Sequence, residues 1–348
     1  MQPQADRGQD DEEEAANEKG QQGARAFGAR TTLKFDSTMN AHNDRAQDVA
    51  IARLTQDGVI RVAGADARAF LHAQLTNDIE HLAADRVCRA GWCTAKGRLL
   101  ATLLVVPQAD DFLLLLPREL IAAVVKRLKM FVLRSKVTLD DESERWVQFG
   151  VIGAGALAAQ RIAVPSVLHG TLQSNAAIAI RVESDRVRIL APAETASTLL
   201  DRLSLPTTAE SRWLLEDIRS GVPQVVAATQ ELFVPQMLNF ETVGGLDFKK
   251  GCYPGQEVVA RAQYRGAIKR HMRRARFAGA EAPAVGQDLY CDDQPGQACG
   301  TVVAAAATES GDGELLAVVP IAGSESRTLV RIAPGGAALE WLPLPYAA

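Results

Sequence analysis

Apolar and polar positions alternate or cluster along the chain in a way that predicts most of its elements. From Val49, the run IARLTQDGVIRVAG alternates on either side of Asp57-Gly58, which predicts a hairpin turning at that pair. Gly64-Ala65-Asp66 opens a helix, with Asp66 placed to accept first-turn amides and Phe70 and Leu71 following at helical spacing. The stretch RAGWCTAKGRLLATLLVVPQADDFLLLLP predicts two strands joined around Gln108–Asp111. Between Arg118 and Val132, Ile121, Val124, Val125, Leu128, Phe131 and Val132 share one face of a helix. KVTLDD and WVQFGVIG predict further strands, and TAESRWLLEDIRSG a helix ending at Gly221.

From about Arg274 the texture changes. Short β-like runs alternate with turn signals at Ala278-Gly279, Gln294-Pro295-Gly296 and Gly311-Asp312-Gly313. TVVAAAA and LLAVVP read as a hairpin, and strands at this spacing suggest a small sandwich or barrel. The pattern is an α+β body followed by an all-β domain. The first forty or so residues, with DDEEE and many Gln and Gly, hold too few large apolar groups to offset chain entropy and are expected to be disordered.

Composition narrows this picture. A chain of 348 residues exceeds one ordinary core, so two or three domains are expected. Runs such as LLATLLVV and FLLLL are too short to span a bilayer, and the acidic start lacks the features of a secretory or transit segment, so a cytoplasmic protein is expected. The net charge of −4 hides an asymmetry, because residues 249–276 concentrate Lys249, Lys250, Arg261, Arg265, Lys269, Arg270, Arg273, Arg274 and Arg276. Such a stretch could contact RNA, with Tyr264 stacking on a base, but alternating cations more often form a solvated strand face. The five cysteines contain no C-x-x-C pair, and neither Cys88/Cys93 nor Cys291/Cys299 has strong zinc spacing. Reduced thiols and no metal site are expected.

The chemistry concentrates in FKKGCYPGQEVVARAQYRG, residues 248–266. Gly251 and Gly255 bracket Cys252, Tyr253 and Pro254, which predicts a turn; Gln256 and Glu257 then begin a helix or strand. A helix start and the neighbouring Lys249 and Lys250 favour a thiolate, so Cys252 is the candidate reactive group. The segment lacks the spacing of a phosphate loop, and the chain has no G-x-S-x-G elbow or H-E-x-x-H helix.

The run KGCYPGQE closely resembles the signature of the YgfZ family, a branch of the folate-binding aminomethyltransferase-like proteins. GADARAFLHAQLTNDI, CTAKGRLLATLLV, KMFVLRSKVTL and SGVPQVVAATQELFVPQMLNFETVGG are similar to the family in the same order, covering the chain from about residue 50. The resemblance implies a ring-like, three-domain fold: two interleaved α+β domains and a C-terminal small β-barrel around a tetrahydrofolate site. On this chain that corresponds to a tail over 1–45, a folate-binding region over 46–270 and a barrel domain over 271–348. It also implies an accessory role in synthesis or repair of iron–sulfur clusters in client enzymes, including one that modifies tRNA.

Lys250, Gly251, Cys252, Tyr253, Gly255, Gln256 and Glu257 match the signature, with Pro254 where the family often has Thr. Trp213 matches an aromatic of the folate pocket, and Arg265 is a weaker candidate for the ligand's anionic tail. A second aromatic present near the first strand in some relatives is replaced by Asp57-Gly58. Leu100 and Ala101 stand where aminomethyltransferases have paired aspartates, and Arg219 where they have a glutamate. Without those carboxylates, aminomethyl or other one-carbon transfer is the alternative and not the leading expectation. Asn77, Asp78, Glu216 and Asp217 are read as caps or surface groups near the pocket.

Overall fold

The structure is a computed structural model, and it describes residues 49–155, 157, 163–264, 268–279, 281–293, 296–308, 311–321 and 329–347. The expected tail over 1–45 and Arg265 lie outside the described residues. The first sheet runs in the order β11-β1-β7-β10-β9-β8, from β1 (Ala50–Leu54), β7 (Trp146–Ile152), β8 (Thr171–Gln173), β9 (Ile178–Glu183), β10 (Arg186–Pro192) and β11 (Thr207–Thr208). The second runs β3-β4-β5-β2-β6, from β2 (Asp57–Ala63), β3 (Cys88–Cys93), β4 (Leu99–Gln108), β5 (Asp111–Pro117) and β6 (Thr138–Asp141). The third runs β16-β13-β14-β15-β12-β17, from β12 (Arg270–Ala278), β13 (Asp288–Cys291), β14 (Ala298–Ala307), β15 (Asp312–Pro320), β16 (Val330–Arg331) and β17 (Glu340–Leu342). Helices α1 (Ala67–Gln74), α2 (Ile121–Val132), α3 (Ala196–Leu203), α4 (Glu210–Arg219) and α5 (Gln256–Tyr264) connect them.

The expected hairpin at Asp57-Gly58 does not form. β1 pairs with β7 and β11, β2 pairs with β5 and β6, and the short link between them carries the chain from one sheet to the other. Alternation gives the face of each strand but not its partner, which explains the difference. The continuous apolar runs have a related cause. Along β5, Phe112, Leu114 and Leu116 enter a core closed by α1 and α2, while Leu113 and Leu115 enter a core shared with the first sheet. A sheet covered on both faces reads as unbroken hydrophobic sequence.

Asp66 precedes α1 but caps no amide of it; its Oδ2 accepts from the Lys136 amide at 2.7 Å, tying the helix start to the loop that leads into β6. On α2, Ile121, Val124 and Leu128 are buried, whereas Phe131, in the last turn of the helix, is 42% exposed. The β14–β15 hairpin forms as expected. Its sheet is a curled half-barrel: β16 and β17 lie at opposite edges, linked among the described residues only near the isolated Arg331–Ala338 bridge. The expected reduced state of Cys291 and Cys299 is corrected, since the β13–β14 register brings their Cα atoms to 5.9 Å and the two form a disulfide. Among the described residues, no helix is long and apolar enough to cross a membrane.

Candidate functional site

Two structural features hold the residues singled out above: the loop carrying the cysteine motif and a cleft between sheets. In the loop, the Lys250 side chain runs inward and its Nζ donates to the carbonyls of His72 and Leu75, the latter at 2.9 Å. These carbonyls end α1, where helical acceptors have no intrahelical donor and the helix dipole favours a cation. The ammonium lies 4.9 Å from the Tyr253 ring centroid. Burial pulls the Lys250 amine down to about 8. Tyr253 packs with Leu246 and Val259, and the same desolvation raises its phenol.

Gly255 adopts φ +82°, and a Cβ there would stand 2.4 Å from the Thr94 carbonyl oxygen and 2.7 Å from Gly97. The motif loop is thus pressed against the tight β3–β4 turn, backbone to backbone. Gln256 and Glu257 form the first turn of α5, resolving the open choice between helix and strand. Cys252 is exposed at the outer end of this loop, and Gly251 lies beside His72, whose Nε2 would be 3.2 Å from an added Cβ. His72 in turn sits 3.2 Å from Asp78 through Nδ1. The lysine expected to sit beside the thiol is thus also a buried strut for the loop.

The cleft opens to solvent and lies between the β1–β2 link, β4, β10, α4 and β14 of the last sheet. Trp213 lines it but is only 4% exposed. Its six-membered ring packs on Gly150 so closely that a Cβ there would come within 2.2 Å, and Arg186 and Arg188 lie 4.7 and 5.8 Å from an indole ring centroid. Its Nε1 is buried with no hydrogen-bond partner among the described residues, and so is Nε of Arg188.

Around the indole, charges are paired. Arg186 bonds Asp217 at 2.7 Å, Arg188 bonds Asp57 at 2.8 Å and Gln148 at 3.1 Å, and Gln224 donates to Asp57 at 2.9 Å. Arg89 donates to Nε2 of His169 at 2.6 Å. Burial and the adjacent Arg89 and Arg86 pull His169 down to about 4, leaving a neutral ring able to accept.

The structure does not bring the two principal candidates together: Cys252 is not among the residues lining the cleft that holds Trp213. Leu100 and Ala101, on β4, are buried in the core closed by α1 and α2. Arg219 is bound to Glu314 at 2.9 Å and Glu216 at 2.8 Å. Asp217, read from sequence as a cap or surface group, lines the cleft, while Asn77 donates to the Arg89 and Gly244 carbonyls. The basic stripe is largely satisfied within its own sheet: Arg276 pairs with Glu340, Arg274 reaches Glu314, and Arg273 lies over Trp341. Asp57, Arg89, Arg188 and Gln224 were not legible as site residues. The one available signal was RVRIL, where Arg186 and Arg188 put two cations on one face of an otherwise apolar strand.

The model of the GCVT N-terminal domain matches residues 13–181. The chain is 32% identical over 293 residues to the tRNA-modifying protein YgfZ of Escherichia coli K12, spanning 82% of this chain and 89% of the relative. The protein of that name from Escherichia coli O139:H28 (strain E24377A / ETEC) matches with the same figures. Among solved structures, aminomethyltransferase T of the glycine cleavage system from Bartonella henselae aligns with a TM-score of 0.69 over 88% of both chains. At 16% identity, this is a likeness of fold.

Proposed function

Because the chain belongs to the YgfZ family, we propose that it is a tetrahydrofolate-binding accessory protein that maintains iron–sulfur clusters in cytoplasmic client enzymes, tRNA-modifying enzymes among them. The observation that carries the ligand part is the cleft: an indole wall, apolar β4 side chains, and polar groups fixed by ion pairs. Such a mixture suits a flat heterocycle with a polar edge and an anionic tail. The Nε1 of Trp213 and Nε of Arg188 are buried donors in the cleft wall without an acceptor among the described residues, the kind of unsatisfied group that a polar ligand edge would complement.

In this reading the cleft lies near the centre of a ring-like assembly of two interleaved α+β domains and the C-terminal domain. Cys252 acts at the protein surface, where an exposed thiol is accessible to a client's cluster, rather than on the folate directly. Aminomethyl transfer is disfavoured because Asp57 and Asp217, the carboxylates lining the cleft, are each tied to an arginine. Both are committed to structural ion pairs, Asp57 with Arg188 and Asp217 with Arg186.

Two measurements test the proposal. Titrating the purified protein with 5-formyltetrahydrofolate should give saturable binding, weakened about tenfold by Trp213→Ala, which removes the wall and leaves a void beside Gly150. Unchanged affinity in that variant rejects the indole as part of the site. For the thiol, Cys252→Ser is expressed in bacteria deleted for their own YgfZ. Activity of a cluster-dependent tRNA-modifying enzyme should fall to the level of the empty vector, and full restoration rejects the role of Cys252.

A further inference from the structure

Asp57 occupies a distinctive position in the cleft wall. It opens β2 directly after the crossover between sheets, and its side chain retains 11% exposure. Oδ2 accepts from Arg188 at 2.8 Å and Oδ1 from Gln224 at 2.9 Å. An ionised carboxylate has about four lone-pair positions, so one acceptor position per oxygen remains beyond these two bonds. Arg188 is itself held from a second side by Gln148 on β7, a residue only 2% exposed. The carboxylate is therefore fixed by groups from two elements, β10 and the loop after α4, instead of being free to rotate.

We infer that Asp57, oriented by Arg188 and Gln224, is the specificity-determining residue of the cleft and accepts the paired N–H donors on the edge of a 2-amino-4-oxo-pyrimidine ring. This rests on the folate reading and adds which edge of the ligand is read, and by what. Two parallel oxygens match two adjacent N–H groups, as they match the fork of a guanidinium. The same arginine that anchors Asp57 lies 5.8 Å from a Trp213 ring centroid, so a flat ring lying in the cleft near the indole meets the carboxylate at its rim.

The test compares binding of 5-formyltetrahydrofolate with that of a 2-desamino-2-methyl folate analogue. The wild type should prefer the amino compound by about ten- to hundredfold, the range for hydrogen bonds to a charged acceptor. In Asp57→Asn the preference should collapse to about threefold or less. Gln224→Leu, which leaves the carboxylate but frees one side of it, should give an intermediate ratio and serves if the first variant does not fold. A merely structural carboxylate would weaken both ligands alike and leave the ratio intact, and that result overturns the inference while folate binding stands. If the wild type binds neither compound, the ligand class itself is wrong and the inference falls with it.

Discussion

Replacing Gly255 with alanine is expected to cost about 3 kcal/mol or more of folding stability and to release the motif loop from the β3–β4 turn. At φ +82° an L residue is strained by roughly 1–2 kcal/mol before any contact is considered. The new methyl group would then meet the Thr94 carbonyl oxygen at 2.4 Å and Gly97 Cα and N at 2.7 Å. All of these are backbone atoms, so no side chain can rotate away and the loop itself must move. Gly244→Ala is the control. It has φ +74° but nothing within 4 Å of its added carbon, so its cost should stay near 1 kcal/mol. Urea unfolding of the two variants separates strain from collision, and equal losses would show that the close approach to Thr94 and Gly97 does not matter.

Lys250→Met should destabilise the protein by about 2 kcal/mol at neutral pH, because it leaves the buried His72 and Leu75 carbonyls at the end of α1 without their donor. The effect carries a pH signature. Burial lowers the amine from 10.5 to about 8 in the folded protein, so between those values the unfolded chain binds the proton more tightly. Stability then rises with pH across that window. Below about pH 8 both states are protonated and the desolvation cost is fully present; above 10.5 it is relieved. The stability gap between wild type and Lys250→Met should therefore be flat up to about pH 8. It should widen towards pH 10.5 by at most on the order of 3 kcal/mol. A gap that stays constant from pH 7 to 10 would mean that this amine is not desolvated in the way its burial implies.

The motif loop shows how much of a site a sequence can disclose. Gly251, Gly255 and the polar start of α5 could be read as a turn running into a helix or strand because φ preferences and helix-terminus chemistry are local. Which glycine is indispensable could not be read there, since the Thr94 carbonyl that excludes a side chain at Gly255 belongs to a distant hairpin. Lys250 looked like a charge for the thiol. It is also a buried strut, because the end of α1, some 175 residues earlier, supplies its acceptors.

The cleft illustrates the same division more sharply. Trp213 was identified through family resemblance, yet its packing on Gly150 and its paired arginines depend on how β7 and β10 lie against α4. Asp57 read as the corner of a hairpin, because an Asp-Gly pair between alternating runs has that local meaning. Its partners Arg188 and Gln224 lie 131 and 167 residues away, and only the crossing of β1 and β2 into different sheets sets them beside it.

By itself, then, the sequence determined the α+β body, the hairpins at β4–β5 and β14–β15, the helical face of α2 and the glycine-bracketed cysteine. Each depends on side-chain periodicity or backbone preference within a few residues. Tertiary structure alone decided which strands pair across the sheets, that Cys252 and Trp213 face different surroundings, and that Asp57 lines the cleft. Those outcomes come from contacts between distant segments, where one strand's period-two pattern fits several partners equally well and only the joint packing of three sheets selects among them.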